Sequence, residues 1–297
     1  MRKFVIISDT GCDLEKKWRD QFDLEYLPIH YTFEEKEYEG DLDWNNMSYK
    51  EFYNHMRDGV RFPTSQVNVE QYKAAFRKHL EAGHDILSVS MSSKLSAGVN
   101  GSYIARDELL KEFPEAKIIC IDTLRSCMTL GILLIAASEL RAEGKTIEEV
   151  AAWIEENKLR SHTICTVDKL VYMKRAGRVS ATSAFFGGLL NIKPIVVQDA
   201  QGRNFAVEKV KGRKKSFERI VEMAKENYED CPHQRVFISH ADCIEEAEEL
   251  KAMLQAALGE NIEISLGIVG CCIGGTVGPG MLCIHLLGKE VTLNEEE

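Results

Sequence analysis

The sequence predicts an α/β fold of two domains, an N-terminal α/β domain with a mostly parallel sheet and a C-terminal α+β domain with a partly antiparallel sheet. Up to about residue 158, short apolar runs alternate with helical patterns, which is typical of strands joined by helices. Beyond that point fewer helices separate the strand-like runs, and the turn sequence Asp199-Ala200-Gln201-Gly202 between two of them predicts a hairpin. We therefore expect domains at residues 1–158 and 159–297.

The N-terminal elements are marked by apolar runs that end in polar loops. Strands are expected at residues 4–7, 24–32, 85–91 and 117–122. Helices are expected from about residue 14 and over residues 48–57, 69–82, 100–112, 128–143 and 146–157. Ser48 with Glu51, and Thr146 with Glu149, have the spacing of capping boxes.

The C-terminal elements are shorter and more often strands. Strands are expected at residues 161–167, 192–198, 205–210, 235–239, 263–269 and 282–287. Helices are expected over residues 214–229 and 243–258, with a shorter one around residues 181–190.

The composition predicts a cytoplasmic protein without a membrane segment. The 297 residues include 37 basic and 47 acidic ones, a net charge of −10 that gives no general attraction to nucleic acid or anionic lipid. The richest apolar run, residues 130–137, is far shorter than the ~18–20 residues of a membrane span, and the N-terminal apolar stretch ends at Ser8. Nine scattered cysteines without a C-x-x-C pattern indicate buried free thiols in a reducing compartment.

Three segments rich in hydroxyl groups or glycine are the candidate binding loops: residues 63–66, 88–98 and 270–280. Hydroxyl and backbone N–H groups where a loop enters a helix are neutral donors, suited to a carboxylate, phosphate or carbonyl oxygen. Helix capping is the alternative role for Thr64 and for Ser96, since Ser and Thr are common N-caps. In parallel α/β sheets ligands collect beyond the carboxyl ends of strands, so the loops after Ile7, Met91 and Ile121 are favoured.

Motifs of the common catalytic and nucleotide sites are absent from the sequence. It contains no P-loop, no G-x-G-x-x-G, no H-E-x-x-H and no G-x-S-x-G, and its eight histidines show no metal-ligand spacing. We therefore expect no metal site, whereas a hydrolase that uses Ser96 with a distant His stays open, because catalytic triads form in space and not in sequence.

A cluster of basic residues stands out on this acidic chain. It includes Lys174, Arg175 and Arg178. Such a cluster is either a solvated face of the protein or a docking surface for an acidic partner.

At these segments the chain resembles the DegV family of bacterial fatty-acid-binding proteins. The matching residues occur in the family's order from end to end. They are Ser8-Asp9-Thr10, Thr64-Ser65-Gln66, Ser92-Ser93-Lys94-Leu95-Ser96, Ile121-Asp122-Thr123 with Ser126 and Gly131, Lys174-Arg175-Ala176-Gly177-Arg178-Val179-Ser180, and Gly278-Pro279-Gly280.

The resemblance implies a two-domain fold with one fatty acid buried in a tunnel between the domains. It implies that Thr64 and Ser96 hydrogen-bond the carboxylate, two neutral hydroxyls that hold it without a neutralising Arg. It also implies a carrier rather than an enzyme, without catalytic residues or a cofactor, that presents the carboxylate to a separate fatty-acid kinase for acyl-phosphate formation. The other residues expected at the head group are Ser65, Ser93, Thr276 and Gly278.

Two segments depart from the family's usual pattern. The second hydroxyl loop reads Leu95-Ser96-Ala97-Gly98, with Ala97 in place of the family's usual Gly and without the Thr and Tyr that usually follow that Gly. In the third loop, Thr276 stands where the family usually has a His. A Thr donates one hydrogen bond but does not titrate near neutral pH. The alternative function is an enzyme or binding protein for a small carboxylate or phosphorylated metabolite, with the glycine-rich loop of residues 270–280 as its anion cradle.

Overall fold

The computed structural model describes residues 2–180 and 191–294 of the chain. Its strands, in chain order, are β1 (Phe4–Asp9), β2 (Leu24–Leu27), β3 (His30–Phe33), β4 (Lys36–Glu39), β5 (Thr64–Ser65), β6 (Asp85–Ser90), β7 (Ile118–Asp122), β8 (Ser161–Thr166), β9 (Ile192–Gln198), β10 (Asn204–Lys211), β11 (Val236–His240), β12 (Ile264–Ile268) and β13 (Leu282–Leu287). Its α-helices are α1 (Lys16–Phe22), α2 (Tyr49–Arg57), α3 (Val69–Glu81), α4 (Gly98–Glu112), α5 (Cys127–Ala142), α6 (Ile147–Asn157), α7 (Val171–Ala176), α8 (Arg213–Asn227), α9 (Ile244–Leu258) and α10 (Cys271–Val277).

The N-terminal sheet is parallel, as predicted, with strand order β2-β1-β6-β7. Every residue of β6 is buried, because helices cover both faces of a parallel sheet. The helices that follow the strands begin where the sequence places them. Both predicted capping boxes are present, one at Ser48 and Glu51 before α2 and the other at Thr146 and Glu149 before α6.

The C-terminal sheet is mixed, with strand order β10-β9-β8-β13-β11-β12. Only the β11–β12 pair among its strands is parallel, in the part of the chain that the structure describes. The predicted hairpin joins β9 to β10, and its turn is closed by the N–H of Asp199, which donates to the carbonyl of Arg203 at 2.9 Å. The mixed α/β fold is therefore confirmed, whereas a domain boundary after residue 158 stays a prediction.

Residues 24–32 form two strands, so the prediction of one strand there was wrong. Strand β2 pairs with β1, whereas β3 belongs to a small antiparallel sheet of order β4-β3-β5. Pro28 separates the two strands because it has no N–H to donate to a neighbouring strand. The small sheet matters for function because it carries Thr64 and Ser65 on β5.

Helix α5 lies at the centre of the molecule and is buried along almost its whole length. Its apolar residues belong to a large core cluster with members from both sheets, among them Ile6, Val89, Cys165 and Cys283. A second, smaller cluster packs α8 and α9 against the C-terminal sheet. The short helices α7 and α10 were not predicted, and the helix expected around residues 181–190 lies outside the described residues.

Candidate functional site

A cavity of about 190 Å³ lies between the two sheets and takes its lining from both halves of the chain. Its wall is apolar, with the side chains Ile29, Met91, Leu95, Met173, Val196 and Val277. Thiols complete this wall, since Cys127, Cys165, Cys272 and Cys283 also line the cavity. The cavity thus combines a long apolar wall with polar groups at two places, which we call the mouth and the floor.

The mouth consists of Thr64, Ser65, Ser96, Thr276 and Arg178, all of which line the cavity and keep access to solvent. Four of these residues are predicted ligand-binding residues, and the structure brings them together from three separate segments. Strand pairing places the first two, since Thr64 lies opposite Tyr31 and Ser65 opposite His30 on β3. Of the hydroxyls, that of Ser65 is already engaged, because it donates to Glu37 Oε1 at 2.8 Å.

Ser96 stands at the N-terminal end of α4, two residues before the helix begins. Its Oγ accepts a long hydrogen bond of 3.4 Å from the N–H of Gly98. Ala97, the N-cap of this helix, lines the cavity but has no side-chain group that could cap it. The N-terminus of a helix carries a partial positive charge, so this corner of the mouth favours an anion.

Ser93 and Gly278, the other two predicted ligand-binding residues, do not line the cavity. The backbone N–H of Ser93 donates to Asp122 Oδ1 at 3.2 Å, which holds the loop after β6 against the end of β7. Gly278 ends α10 with φ +78°, and a Cβ there would lie 2.3 Å from the ring of Tyr172. The glycine is therefore required by backbone conformation and close packing.

Arg178 places a cation at the mouth, whereas the resemblance implies a head-group site without a neutralising arginine. The residue was predicted as part of a docking surface, yet it lines the cavity. Its Nε donates to the carbonyl of Leu95 at 2.6 Å, and its Nη1 donates to the carbonyl of Ala176. These bonds tie the turn after α7 to the loop that carries Ser96.

The other two predicted docking residues, Lys174 and Arg175, are exposed on α7. Arg175 lines a neighbouring cavity of about 310 Å³ that shares Thr64, Arg178 and Thr276 with the mouth. The basic cluster therefore borders the opening of the central cavity.

The motif Ser8-Asp9-Thr10 positions the wall of the cavity by hydrogen bonds to backbone N–H groups. Asp9 Oδ2 accepts from the N–H of Met91 at 3.0 Å, and Thr10 Oγ1 accepts from the N–H of Ile29 at 3.0 Å. Burial raises the pKa of Asp9 to about 6 even though the N–H groups of Met91 and Gly11 lower it. The motif thus acts through other residues and does not itself line the cavity.

The floor consists of Ser126, Thr163 and His285, three polar residues that sequence reasoning missed as cavity residues. His285 is completely buried, and burial lowers the pKa of its imidazole to about 3, so the ring is neutral. Its Nδ1 lies 2.7 Å from Thr129 Oγ1, and its Nε2 lies 2.8 Å from Ser239 Oγ. The alternation of side chains along β8 and β13 is the only sequence signal for this group, and it does not tell which face looks into the cavity.

Metal and membrane features are not found in the residues that the structure describes. All nine cysteines are free, and no three His, Cys, Asp or Glu side chains within residues 2–180 and 191–294 are grouped as a metal site requires. Among the helices of these same residues, none has both the length and the apolar character needed to cross a bilayer.

Comparison with known proteins places the chain in a family. Residues 3–289 match the sequence model of the family described as "Uncharacterised protein, DegV family". The chain belongs to the DegV family. A DegV domain-containing protein of Clostridium perfringens is 37% identical over 288 residues, which cover 97% of this chain and 98% of that protein.

Solved structures of DegV proteins share the fold over nearly the whole length. A DegV lipid-binding protein from Thermotoga maritima has a TM-score of 0.84 and 26% identity, and the match covers 98% of this chain and 100% of that one. DegV of Bacillus subtilis, a fatty-acid-binding protein, has a TM-score of 0.82 and 26% identity, covering 97% of this chain and 100% of that one.

Proposed function

We propose that this DegV protein binds one fatty acid in the central cavity, with the carboxylate at the mouth and the acyl chain along the apolar wall. The observation that carries the proposal is the lining of the cavity, which combines solvent-accessible hydroxyls and a cation with many apolar side chains. The DegV structures from T. maritima and B. subtilis, a lipid-binding and a fatty-acid-binding protein, support the same ligand class.

The free energy gained by burying an acyl chain supports this ligand class. An acyl chain of about 14 methylenes gains a gross ~11 kcal/mol on full burial, at ~0.8 kcal/mol per CH₂ and before ordering costs. At the mouth, Thr64, Ser96 and Thr276 act as donors to the carboxylate, and Arg178 supplies the opposite charge. The exposure of these residues leaves a carboxylate oxygen accessible from outside.

The proposal extends to the role of the bound ligand. A carboxylate held by donors at an open mouth suits a carrier that presents its ligand to a separate kinase for acyl-phosphate formation. The exposed Lys174 and Arg175 at the same opening form the proposed docking surface for that acidic partner. Nine free thiols suit the reducing cytoplasm, where a kinase would find its nucleotide.

The decisive experiment is to denature the purified protein, extract it with organic solvent and identify the extract by mass spectrometry. A near-stoichiometric fatty acid supports the carrier function. An empty extract, together with no binding of palmitate by the delipidated protein, refutes it. Tight binding of short carboxylates or phosphorylated metabolites in that case would favour the alternative function, for which the glycine-rich residues 270–280 remain the anion cradle.

The docking surface requires its own test, in which Arg178 is left unchanged because it lines the cavity. Lys174→Glu with Arg175→Glu should weaken binding to a purified fatty-acid kinase and slow acyl-phosphate formation, without changing fatty-acid affinity. Lys214→Glu with Lys215→Glu is the matched control, since it changes the charge equally on α8. Equal effects of the two pairs would remove Lys174 and Arg175 from the interface.

A further inference from the structure

The floor of the cavity differs chemically from the end of a tunnel built for a plain hydrocarbon chain. Strand β13 sets its depth: Met281, Cys283 and His285 all line the cavity, and from the first to the last the strand advances about 13 Å. The mouth residues keep access to solvent whereas His285 is completely buried, so His285 lies at the inner end of the wall. Thr163 is the strand partner of His285 on β8.

The hydrogen bonds of the floor leave one donor unused. Ser126 Oγ accepts from Gln198 Nε2 at 3.0 Å, and Gln198 Oε1 in turn accepts from Thr163 Oγ1 at 2.8 Å. The hydroxyl proton of Ser126 has no acceptor among the described residues. Ser126 is also the N-cap of α5, yet its side chain makes no capping bond, so its hydroxyl is not committed to the helix.

The other two residues of the floor, Thr163 and His285, carry no charge, and Thr163 can still accept a hydrogen bond. Thr163 Oγ1 uses its proton toward Gln198 and keeps lone-pair capacity beside the contact of 2.7 Å with Thr129 Oγ1. Thr163 is also partly exposed although it lies in a central strand, which indicates surface turned toward the cavity. His285 is neutral and held on both ring nitrogens, and no lysine or arginine lines this end.

We propose that the floor is a second polar subsite, which binds an uncharged oxygen function on the acyl chain, so that the ligand class includes hydroxy and oxo fatty acids. A ligand hydroxyl accepts from Ser126 Oγ and donates to Thr163 Oγ1, and a ligand ketone accepts from Ser126 alone. A carboxylate at this end is disfavoured, because the residues that line it carry no positive charge. The inference rests on the proposed function, since it takes the carboxylate to be held at the mouth.

The test compares ligands on the delipidated full-length protein by calorimetry. The panel is stearic acid, hydroxystearic acids with the hydroxyl at successive positions, the matching oxo acids and octadecanedioic acid. We expect at least one hydroxy acid to bind about two- to tenfold more tightly than stearic acid, the range for one net hydrogen bond, and the dicarboxylic acid to bind more weakly. The measured quantity is the ratio of the hydroxy-acid affinity to the stearic-acid affinity, because a change in the cavity that weakens both ligands equally leaves this ratio unchanged.

Variants of Ser126 assign that ratio to the floor. Ser126→Ala should bring the ratio of hydroxy acid to stearic acid to one, and Ser126→Thr, which keeps a hydroxyl, should restore a preference. Thr64→Val at the mouth is the control, because it should weaken all the acids and preserve the ratio. No preference for any isomer, or a preference that persists in Ser126→Ala, overturns the inference; failure of stearic acid itself to bind overturns the proposed function with it.

Discussion

The mouth and the floor of the cavity both present hydroxyl groups, but the surroundings give them opposite properties. At the mouth, Thr64 and Ser96 keep access to solvent, and Arg178 adds a positive charge. At the floor, His285 and its partners are buried, uncharged and largely bonded to each other. A hydroxyl in a cavity lining is therefore a donor to a ligand only to the extent that the protein's own hydrogen bonds leave its proton free.

The largest effect is expected from removing the hydroxyls of the mouth. Thr64→Val combined with Ser96→Ala should lower fatty-acid affinity by at least about a hundredfold, because hydrogen bonds to a charged group contribute about 1.5–3 kcal/mol each. Displacement of a fluorescent fatty acid measures this loss. Ser93→Ala is the matched control, three residues from Ser96 but outside the lining, and should change affinity less than twofold. An equal loss in the control would restore Ser93 to the binding site.

The next effect should appear at the floor, as a loss of stability. Thr129→Val keeps the shape of the side chain but removes the hydroxyl beside His285 Nδ1 and Thr163 Oγ1. Leaving a buried polar group without its partner should lower the free energy of unfolding by about 1–3 kcal/mol. Urea unfolding measures it, with the exposed Thr292→Val as the control. A loss below about 0.5 kcal/mol, the range of ordinary surface changes, would contradict the network.

A smaller effect is expected from the charge at the mouth. Arg178→Gln should lower the affinity for a fatty acid by about two- to fivefold, because an exposed ion pair contributes about 0–1 kcal/mol. Salt should weaken the wild type more than the variant, since the attraction is screened. The methyl ester of the same acid is the control ligand, and its affinity should respond to neither change. Equal salt dependence of the two proteins would argue against a carboxylate beside Arg178.

The last prediction concerns pH and the buried Asp13, whose carboxyl lies beside the thiol of Cys127. Burial raises the pKa of Asp13 from 3.8 to about 7, so between these values the native state holds a proton that the unfolded chain releases. The contribution of Asp13 to stability is therefore present below about pH 4 and lost as the pH rises toward 7. Asp13→Asn should remove this loss, since its Oδ1 can still accept from the N–H of Gly270.

His285 has the opposite effect on the pH dependence of stability. The effect of Asp13 must therefore be measured as the difference between wild type and variant at each pH. Because burial lowers its pKa from 6.5 to about 3, the unfolded chain takes up a proton that the native ring does not, and stability falls as the pH falls through this range. Unfolding free energies of both proteins at several pH values isolate Asp13 as their difference. A difference that stays constant between pH 4 and 7 would show that Asp13 is already ionised in the native state.

The sequence predicts the framework well because its signals are local. Capping residues such as Ser48 and Thr146 act within one helical turn, and buried strands such as β6 read as apolar runs. The turn of β3 and β4 escapes prediction because Glu34 and Glu35 adopt φ values of 48° and 62°, which are usually taken by Gly or Asn. The secondary-structure propensity of Glu does not predict a turn with these positive φ values.

The site was only half predictable, for a physical reason. Thr64, Ser96 and Thr276 belong to segments rich in hydroxyl groups or glycine, a composition that is itself a signal, and the resemblance to one family directs attention to them. Thr163 and His285 are distant in sequence and meet only through the register of β8 and β13. A polar residue inside a strand has no meaning for binding until the face of the sheet is known.

The central position of α5 also has a consequence for biosynthesis. The helix is made with the first half of the chain, yet Thr129 contacts His285 of β13, and the apolar surface of α5 packs in one core with Cys165 and Cys283. A nascent chain that has emerged only to residue 158 therefore leaves one side of this helix exposed to water. The first half cannot complete its fold on the ribosome until β13, the last strand described, has been synthesised.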